Sequence, residues 1–232
     1  MDELFRIKYI LLTLSAPINT NQIEDFRGAI IRQVGGDAFY HNHVGTGYAY
    51  RYPLVQYKRI GGHAAVLVIG EAVDTVSRLV DGRKTTLRLG NEEIPFEISR
   101  VRPGNALVQV WNDSFSYHLN RWLPLNKDNY EEYRRLTALV DKIALLESIL
   151  IGNILSMSKG LGLTITNPII CSITKLSNPH KLHYKGVDLV EFNAEFECNV
   201  SIPDYFGLGK GVSLGHGVCV RKKQNYKKNL EQ

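Results

Sequence analysis

Residues 202–220 read IPDYFGLGKGVSLGHGVCV. Five of the eleven residues from Gly207 to Gly217, which we call the Gly-rich loop, are glycine, and Lys210 stands among them. Glycine adopts backbone conformations that other residues rarely adopt and lets another chain approach closely, so exposed amides beside a lysine suit phosphate groups. A mobile hairpin is the alternative interpretation. The residues from Val218 to Val220 that follow the loop have the pattern of a strand.

The glycines do not have the spacing of the two common nucleotide-binding motifs. A P-loop has glycine five residues before its Gly-Lys pair and Ser or Thr after it, but Asp204 and Gly211 occupy those positions. The dinucleotide-binding pattern requires a third glycine where Val212 stands, and it opens a helix instead of a strand. A nucleotide cofactor is therefore not expected, and no other cofactor is predicted.

The composition is that of a folded basic protein. The chain has 232 residues, 44% of them hydrophobic, and a formal net charge of +5, which favours a polyanionic partner such as nucleic acid. Cys171, Cys198 and Cys219 are an odd number without a C-x-x-C spacing, so they indicate neither a disulfide framework nor a zinc site and fit a reducing cytoplasm. The N-terminus lacks the positive charge of a signal peptide, and no apolar run is long enough to span a membrane.

The first half of the sequence alternates between strand and helix patterns. Strands are predicted at residues 4–14, 54–60, 63–69 and 84–89, and helices at 23–34 and 71–80. The order βαββαβ is that of the ferredoxin-like fold, an antiparallel four-stranded sheet with both helices on one face. The other face is expected to be free to meet a ligand. A further hairpin, from 94–101 to 106–111 with its turn at Pro103-Gly104-Asn105, is expected to extend this domain.

The second half has the longest helix pattern, from residue 128 to about 157. Its apolar stripe consists of Leu136, Leu139, Val140, Ile143, Leu146, Leu150 and Ile154. Strand patterns follow at 168–176, 187–201 and 218–220. One long helix on an antiparallel sheet predicts an α+β protein whose second domain is a degenerate copy of the first. The boundary is placed near Asn112, which gives domains at residues 1–112 and 113–232.

Two blocks, residues 40–58 and 202–220, carry a resemblance to a known family. The pattern G-x-G-x-G-x-x-x-G-x-G before a final strand resembles the signature of the RAMP superfamily of CRISPR-associated RNA-binding proteins. Within it, the sequence is most similar to the Cas6 endoribonucleases that cut CRISPR repeat RNA, particularly the branch with paired histidines in the N-terminal half. The resemblance implies tandem ferredoxin-like domains and CRISPR repeat RNA as the partner. It leaves open further partners, namely other CRISPR effector subunits or a second copy of the chain.

Residues 40–53, YHNHVGTGYAYRYP, have a composition suited to RNA. Tyrosine rings stack on unpaired bases, Arg51 can pair with a phosphate, and histidine transfers protons near neutral pH. His41 and His43 would lie on one face of an extended segment, where both could address one phosphate. The letters His-Asn-His do not make a metal-dependent HNH nuclease, because consecutive side chains of a strand point apart and cannot converge on one ion. No metal site is predicted.

RNA carries its own nucleophile, the 2′-hydroxyl, so a base, an acid and a cation suffice for cleavage without a metal. The resemblance implies this transesterification, which leaves a cyclic phosphate on one product and a 5′-hydroxyl on the other. We assign His43 as the base, His41 as the acid or a positioning residue, Tyr50 as a hydrogen-bond donor and Lys58 as a stabiliser of charge. The alternative for Lys58 is a solvated charge on an edge strand.

The predicted RNA-binding residues are Arg51, Gly207, Gly209, Lys210, Gly211, Ser213, Gly215, His216 and Gly217. For His216, contact with RNA and simple exposure to solvent are weighed equally. The strongest competing function is an RNA-binding RAMP subunit without catalysis. A small-ligand or protein-interaction module is a third class, but it leaves the histidine block and the Gly-rich loop without a purpose.

Overall fold

The structure is a computed structural model that describes residues 6–35, 37–41, 43–44, 47–48, 52–80, 86–184 and 186–223, with the backbone alone for residues 41–48 within these ranges. The elements of the first half are β1 (Arg6–Pro17), a 3-10 helix (Thr20–Gln22), α1 (Ile23–Gln33), α2 (Ala38–His41), β2 (His43–Val44), β3 (Gly47–Tyr48), β4 (Val55–Ile60), β5 (His63–Ile69), a 3-10 helix (Gly70–Thr75), α3 (Ser77–Val80), β6 (Thr86–Leu89), β7 (Glu92–Pro95) and β8 (Ile98–Leu107).

Four strands of the first half form one antiparallel sheet in the order β4-β5-β1-β8. Helix α1 lies on one face of it, where Phe26 and Ile30 pack with Leu12 and Val66 in a buried cluster. These residues of α1 recur at helical spacing because that stripe faces the sheet. The strand order is that of the ferredoxin-like fold, and the predicted α+β class is confirmed.

The fourth strand of this sheet is β8, not the predicted strand at 84–89. The β6 strand pairs with β7 in a separate hairpin that packs against α1. The predicted hairpin at 94–111 is also wrong, since β8 runs through Pro103-Gly104-Asn105 without a turn. Proline is tolerated there because β8 is an edge strand. Gly104 leaves room for the ring of Tyr9, which a Cβ atom at this position would overlap.

The second half consists of β9 (Val110–Trp122), α4 (Lys127–Arg135), α5 (Leu139–Gly160), β10 (Cys171–Leu176), β11 (His180–Tyr184), β12 (Val187–Val200), a 3-10 helix (Val212–Leu214) and β13 (Val218–Arg221). Its sheet is antiparallel in the order β10-β12-β9-β13, which repeats the order of the first sheet, and β11 pairs with β12. The chain passes between the sheets from Leu107 to Val110, near the predicted boundary at Asn112. Where a second helix would lie, between β12 and β13, the chain forms the Gly-rich loop.

The single helix predicted over residues 128–157 is two helices, α4 and α5, separated by residues 136–138, of which Leu136 and Ala138 are extended. Basic residues in the last turn of α4 and Asp141 in the first turn of α5 favour a helix end and a helix start at these points. Leu139 and Val140, expected on the buried stripe, are 67% and 71% exposed. In the described part of the chain no helix is long and apolar enough to cross a membrane.

The second face of the first sheet is not free, and the prediction of an open face is wrong. Five of its residues are buried in a core shared with β9, β12 and α5: Ile7, Leu11, Ala65, Leu67 and Ile69. The β5 strand is therefore buried on both faces, and all its residues after His63 are buried. Burial on both faces explains why β5 reads as a continuous apolar run and not as an alternation.

Candidate nucleic-acid interface

The Gly-rich loop is closed on itself. A backbone bridge joins Gly207 to Val218, and the N–H of Leu208 donates to the carbonyl oxygen of Gly217 at 2.8 Å. Gly217 has a φ of 63°, and a Cβ atom there would overlap the carbonyl oxygen of Leu208. At this position only glycine provides both the backbone conformation and the space.

The loop also covers the free edge of β4 in the first half. A Cβ atom at Gly215 would come within 3.2 Å of the carbonyl oxygen of Tyr57. The hydroxyl of Tyr52 donates to the carbonyl oxygen of Gly207 at 3.0 Å, and the Gly207 N–H donates to Gln56 Oε1 at 3.2 Å. The loop thus supplies the cover that an edge strand otherwise lacks. These contacts are those of a packed loop that joins the two halves, not of a mobile hairpin.

Part of the loop keeps unused hydrogen-bond donors. Backbone N–H groups at 207, 208, 210 and 214–217 donate to protein oxygens. Those of Gly209, Gly211, Val212 and Ser213 have no acceptor in the part of the chain that the structure describes. Lys210 is exposed beside them, and partial burial lowers its pKa from the ordinary value. We call residues 209–213 the crest; its amides and its ammonium group are suited to a phosphate.

A polar network lies behind the crest and involves His216, which is only 8% exposed. Its Nδ1 lies 3.0 Å from Glu191 Oε2, and its Nε2 lies 3.4 Å from Nη2 of Arg121. Arg121 Nε in turn lies 3.2 Å from Glu191 Oε2. Burial acts to raise the pKa of Glu191, but the hydrogen bond with His216 and the charge of Arg121 together hold it below its ordinary value. Exposure to solvent, one expectation for His216, is therefore wrong.

The same network fixes the backbone of the loop. Arg121 adopts a φ of 53°, which is unusual for a residue other than glycine, and its carbonyl oxygen accepts the N–H of Gly217 at 2.9 Å. The Arg121 N–H donates to Oδ1 of Asn193 at 2.9 Å. The loop is therefore anchored to β9 and β12 as well as to β4. Of the predicted RNA-binding residues, Gly209, Lys210, Gly211 and Ser213 form the crest, while Gly207, Gly215, His216 and Gly217 are buried beneath it.

Lys58 lies on β4, between the two halves. Its side chain is fully buried at 0% exposure, and its Nζ has no acceptor in the described part of the chain. Burial lowers the pKa of Lys58 to about 7. The alternative of a solvated edge charge is wrong, because the loop and the second half cover this edge. In this arrangement Lys58 cannot contact an RNA phosphate.

The predicted catalytic histidines are described by backbone alone, and Tyr50 and Arg51 lie outside the described residues. His41 ends helix α2 and His43 begins β2. The two histidines therefore do not belong to one extended segment, which was the condition for placing both on one face, and their shared role stays a prediction.

Contacts at both ends of helix α2 fix it within the first half. Oδ1 of Asp37 accepts the N–H of Phe39 at 2.9 Å, and the ring of Tyr40 is buried at 1% exposure. The hydroxyl of Tyr57 donates to the carbonyl oxygen of Tyr40 at 3.4 Å, while the backbone of Tyr57 meets Gly215. Tyr57 thus connects the residue before the histidines with the Gly-rich loop. The structure brings the two sequence blocks to one region.

Two depressions lie at the junction of the halves, and the smaller one adjoins the loop. The larger, a groove of about 1030 Å³, includes Tyr52 and is lined by the cations of Arg6, Lys8 and Lys159 and by the carboxylates of Glu71 and Asp74. The smaller, a pocket of about 280 Å³, adjoins Gly215. The described residues contain no group of three or more His, Cys, Asp or Glu side chains that could hold a metal ion.

Both halves match family models, the Cas6b N-terminal domain over residues 5–105 and the Cas6b C-terminal domain over residues 109–222. The chain belongs to the Cas6 family. It is similar to a crystal structure of Cas6b, with a TM-score of 0.85 and 27% identity over 94% of this chain and 100% of that chain. It is similar to a CRISPR RNA processing endoribonuclease Cas6b, with a TM-score of 0.73 and 26% identity over the same shares.

The chain is also similar in sequence to a protein whose function is not described. A protein of Methanocaldococcus jannaschii without a described function is 39% identical over 134 residues, which are 55% of this chain and 90% of that protein. The predicted family and the predicted enzyme class, an endoribonuclease, are confirmed. Within this Cas6 family member, sequence reasoning missed Gln56, Arg121 and Glu191, which hold the loop in place. No motif surrounds them, since each acts through contacts that are distant in the chain.

Proposed function

We propose that this member of the Cas6 family binds CRISPR repeat RNA and cuts precursor CRISPR RNA within the repeat. The observation that carries the proposal is the crest, where unused backbone amides stand beside Lys210. The crest belongs to a loop packed against β4, and Tyr57 of that strand contacts the residue that precedes His41. These contacts support a site to which both the crest and the histidine segment contribute.

The RNA backbone lies along the crest and continues into the larger groove. Arg6, Lys8 and Lys159 supply positive charge to this groove, although Asp74 pairs with Lys8 at 2.8 Å. Such contacts position an RNA strand without reading its sequence. The affinity is therefore expected to fall as salt rises. Two further partners stay predictions made from the sequence: other CRISPR effector subunits and a second copy of the chain.

The proposed reaction uses the RNA's own nucleophile. His43 removes the proton of the 2′-hydroxyl, the oxygen attacks the adjacent phosphorus, and the bond from phosphorus to the 5′-oxygen breaks as His41 returns a proton to that oxygen. The products are a cyclic phosphate and a 5′-hydroxyl, and no metal takes part. Tyr50 donates a hydrogen bond to the reacting phosphate. Lys58 can stabilise the phosphorane only if the Gly-rich loop moves away from β4, since it is fully buried here.

The test is cleavage of a repeat RNA in excess EDTA, with a 2′-deoxy substitution at the scissile nucleotide as the chemical control. The deoxy repeat should bind and stay intact. His43→Ala should cut roughly 10²–10⁴-fold more slowly, the usual contribution of general acid–base catalysis. The cleavage rate of His41→Ala should fall by the same factor or by a smaller one. His183→Ala is the matched control, an exposed histidine of β11 that pairs with Asp188 at 2.7 Å; it should cut at the wild-type rate.

Three results would contradict parts of the proposal. Loss of cleavage in EDTA would remove the metal-independent mechanism, and wild-type rates in the double histidine variant would remove the assignment of the site. Tight binding of the repeat without any cleavage would move the protein to the class of RNA-binding subunits. Lys210→Ala separates binding from chemistry, because it should weaken affinity more than turnover.

A further inference from the structure

The smaller pocket, at the Gly215 end of the loop, belongs to both halves of the molecule. It has a volume of about 280 Å³, below the usual range for drug-sized ligands. Its lining includes Arg59 and Gly61 of the first half and Arg121, Tyr205 and Gly215 of the second half. Two of these residues are arginines and none is a carboxylate; the acidic residues in the first turn of α1, Glu24 and Asp25, are not among them.

Both guanidinium groups are held in place by the protein. Arg59 is exposed, and its Nε donates to the carbonyl oxygen of Ile18 at 2.7 Å. Arg121 is fixed through Nε by Glu191 and through Nη2 by His216, while its buried Nη1 has no acceptor in the described part of the chain. Glu191 pairs with Arg121 and offsets its charge, so Arg59 supplies the positive charge of the pocket, and no carboxylate among the described residues of the lining pairs with it. The other nitrogens of the exposed Arg59 guanidinium, held in this way, are suited to a phosphate oxygen.

We propose that this pocket binds a phosphate group of the RNA backbone, separate from any phosphate on the crest. The inference rests on the proposed function for the source of the phosphate, while the pocket's preference for a phosphate rests on its own residues. A phosphate held there would fix the RNA beside Gly215, at a point whose lining shares no residue with the larger groove. The RNA would then cross the loop between two anchoring points.

The first arm of the test is the salt dependence of repeat binding. Each phosphate contact contributes about 0.7 to the slope of log affinity against log salt for single strands and about 0.9 for duplexes. Arg59→Gln should therefore reduce the slope by roughly 0.7–0.9 and weaken affinity about tenfold at 0.1 M salt. Arg88→Gln is the matched control, since Arg88 is also an exposed arginine of the first half whose Nε donates to a backbone carbonyl, that of Gly90 at 3.4 Å. Its slope should equal that of the wild type.

The second arm needs no RNA and separates the two proposals. Inorganic phosphate is titrated against chloride at equal ionic strength, and the thermal unfolding midpoint is compared between wild type, Arg59→Gln and Arg88→Gln. General stabilisation by phosphate affects all three proteins alike, so a smaller rise in Arg59→Gln alone reports binding in the pocket.

The outcomes are distinct. A reduced slope and a reduced phosphate effect in Arg59→Gln support the inference, and a wild-type slope in this variant overturns it for RNA. If the wild type binds no repeat RNA at all, the proposed function fails, and the phosphate titration alone decides the pocket. An equal rise in all three proteins would then overturn the pocket as well, whereas a smaller rise in Arg59→Gln would keep a phosphate site that is filled from solution.

Discussion

Lys58→Met should make the protein more stable, by an amount that depends on pH. The ordinary lysine pKa is 10.5, and burial lowers that of Lys58 to about 7. Each pH unit between these values is worth about 1.4 kcal/mol, so a charged Lys58 costs the folded state about 5 kcal/mol. The full cost is present below pH 7, where the side chain is charged in both folded and unfolded chains. It declines as the pH rises, because the folded protein releases a proton that the unfolded chain keeps, and about 2 kcal/mol remains at pH 9.

The assay is urea unfolding of wild type and Lys58→Met at pH 6 and pH 9. The advantage of the variant should be about 3 kcal/mol smaller at pH 9 than at pH 6. Lys127→Met, at an exposed lysine that begins α4, should show the pH dependence of the wild type. An equal advantage at both pH values, or a less stable Lys58→Met, would refute the reasoning. The same variant also tests catalysis, because slower cleavage by a more stable protein would place Lys58 in the reaction.

The remaining predictions concern the loop. Gly217→Ala should lower the free energy of unfolding by about 1–3 kcal/mol, measured by thermal unfolding, because a φ of 63° is strained for alanine and the new Cβ meets Leu208. The control Gly152→Ala, in open space on α5, should instead raise it by up to about 1 kcal/mol. Tyr52→Phe should cost about 1 kcal/mol and weaken repeat binding, measured by urea unfolding and filter binding, since it removes the hydrogen bond to the loop. Glu191→Gln should cost about 1–3 kcal/mol at pH 7. Because the folded pKa of Glu191 lies below its ordinary 4.5, this difference should persist above pH 4.5 and fade below it, which urea midpoints at pH 7 and pH 3.5 would show.

The sequence predicted the fold where local patterns decide the structure. The helix α1 and the turn between β4 and β5 are determined by residues that are close together in the sequence. Both elements lie close to their predicted positions. The fourth strand was misplaced because residues 84–89 and residues of β8 both have strand patterns, and only pairing with β1 distinguishes them. The apolar run of β5 does carry a signal for burial on both faces, since a half-exposed strand alternates. Its partner, the second half, lies too far along the chain for periodicity to reveal.

The candidate site was predictable in composition but not in arrangement. The glycine density correctly marks a segment where backbones approach closely, yet which amides stay unused depends on acceptors in β9 and on Gln56 of β4. The exposure of Lys58 could not be judged from β4 alone, because an edge strand is normally solvated and here a distant loop covers it. His216 shows the same limit, since its partner Glu191 belongs to another strand.

The core shared by the two halves has a consequence for how the protein melts. Each half leaves apolar surface that only the other covers, so neither is a self-sufficient folding unit, and calorimetry should register one transition despite two ferredoxin-like repeats. RNA held across the loop would then raise the melting temperature of the whole chain through mass action, and not that of one domain. RNA binding and global stability would in this way be thermodynamically linked.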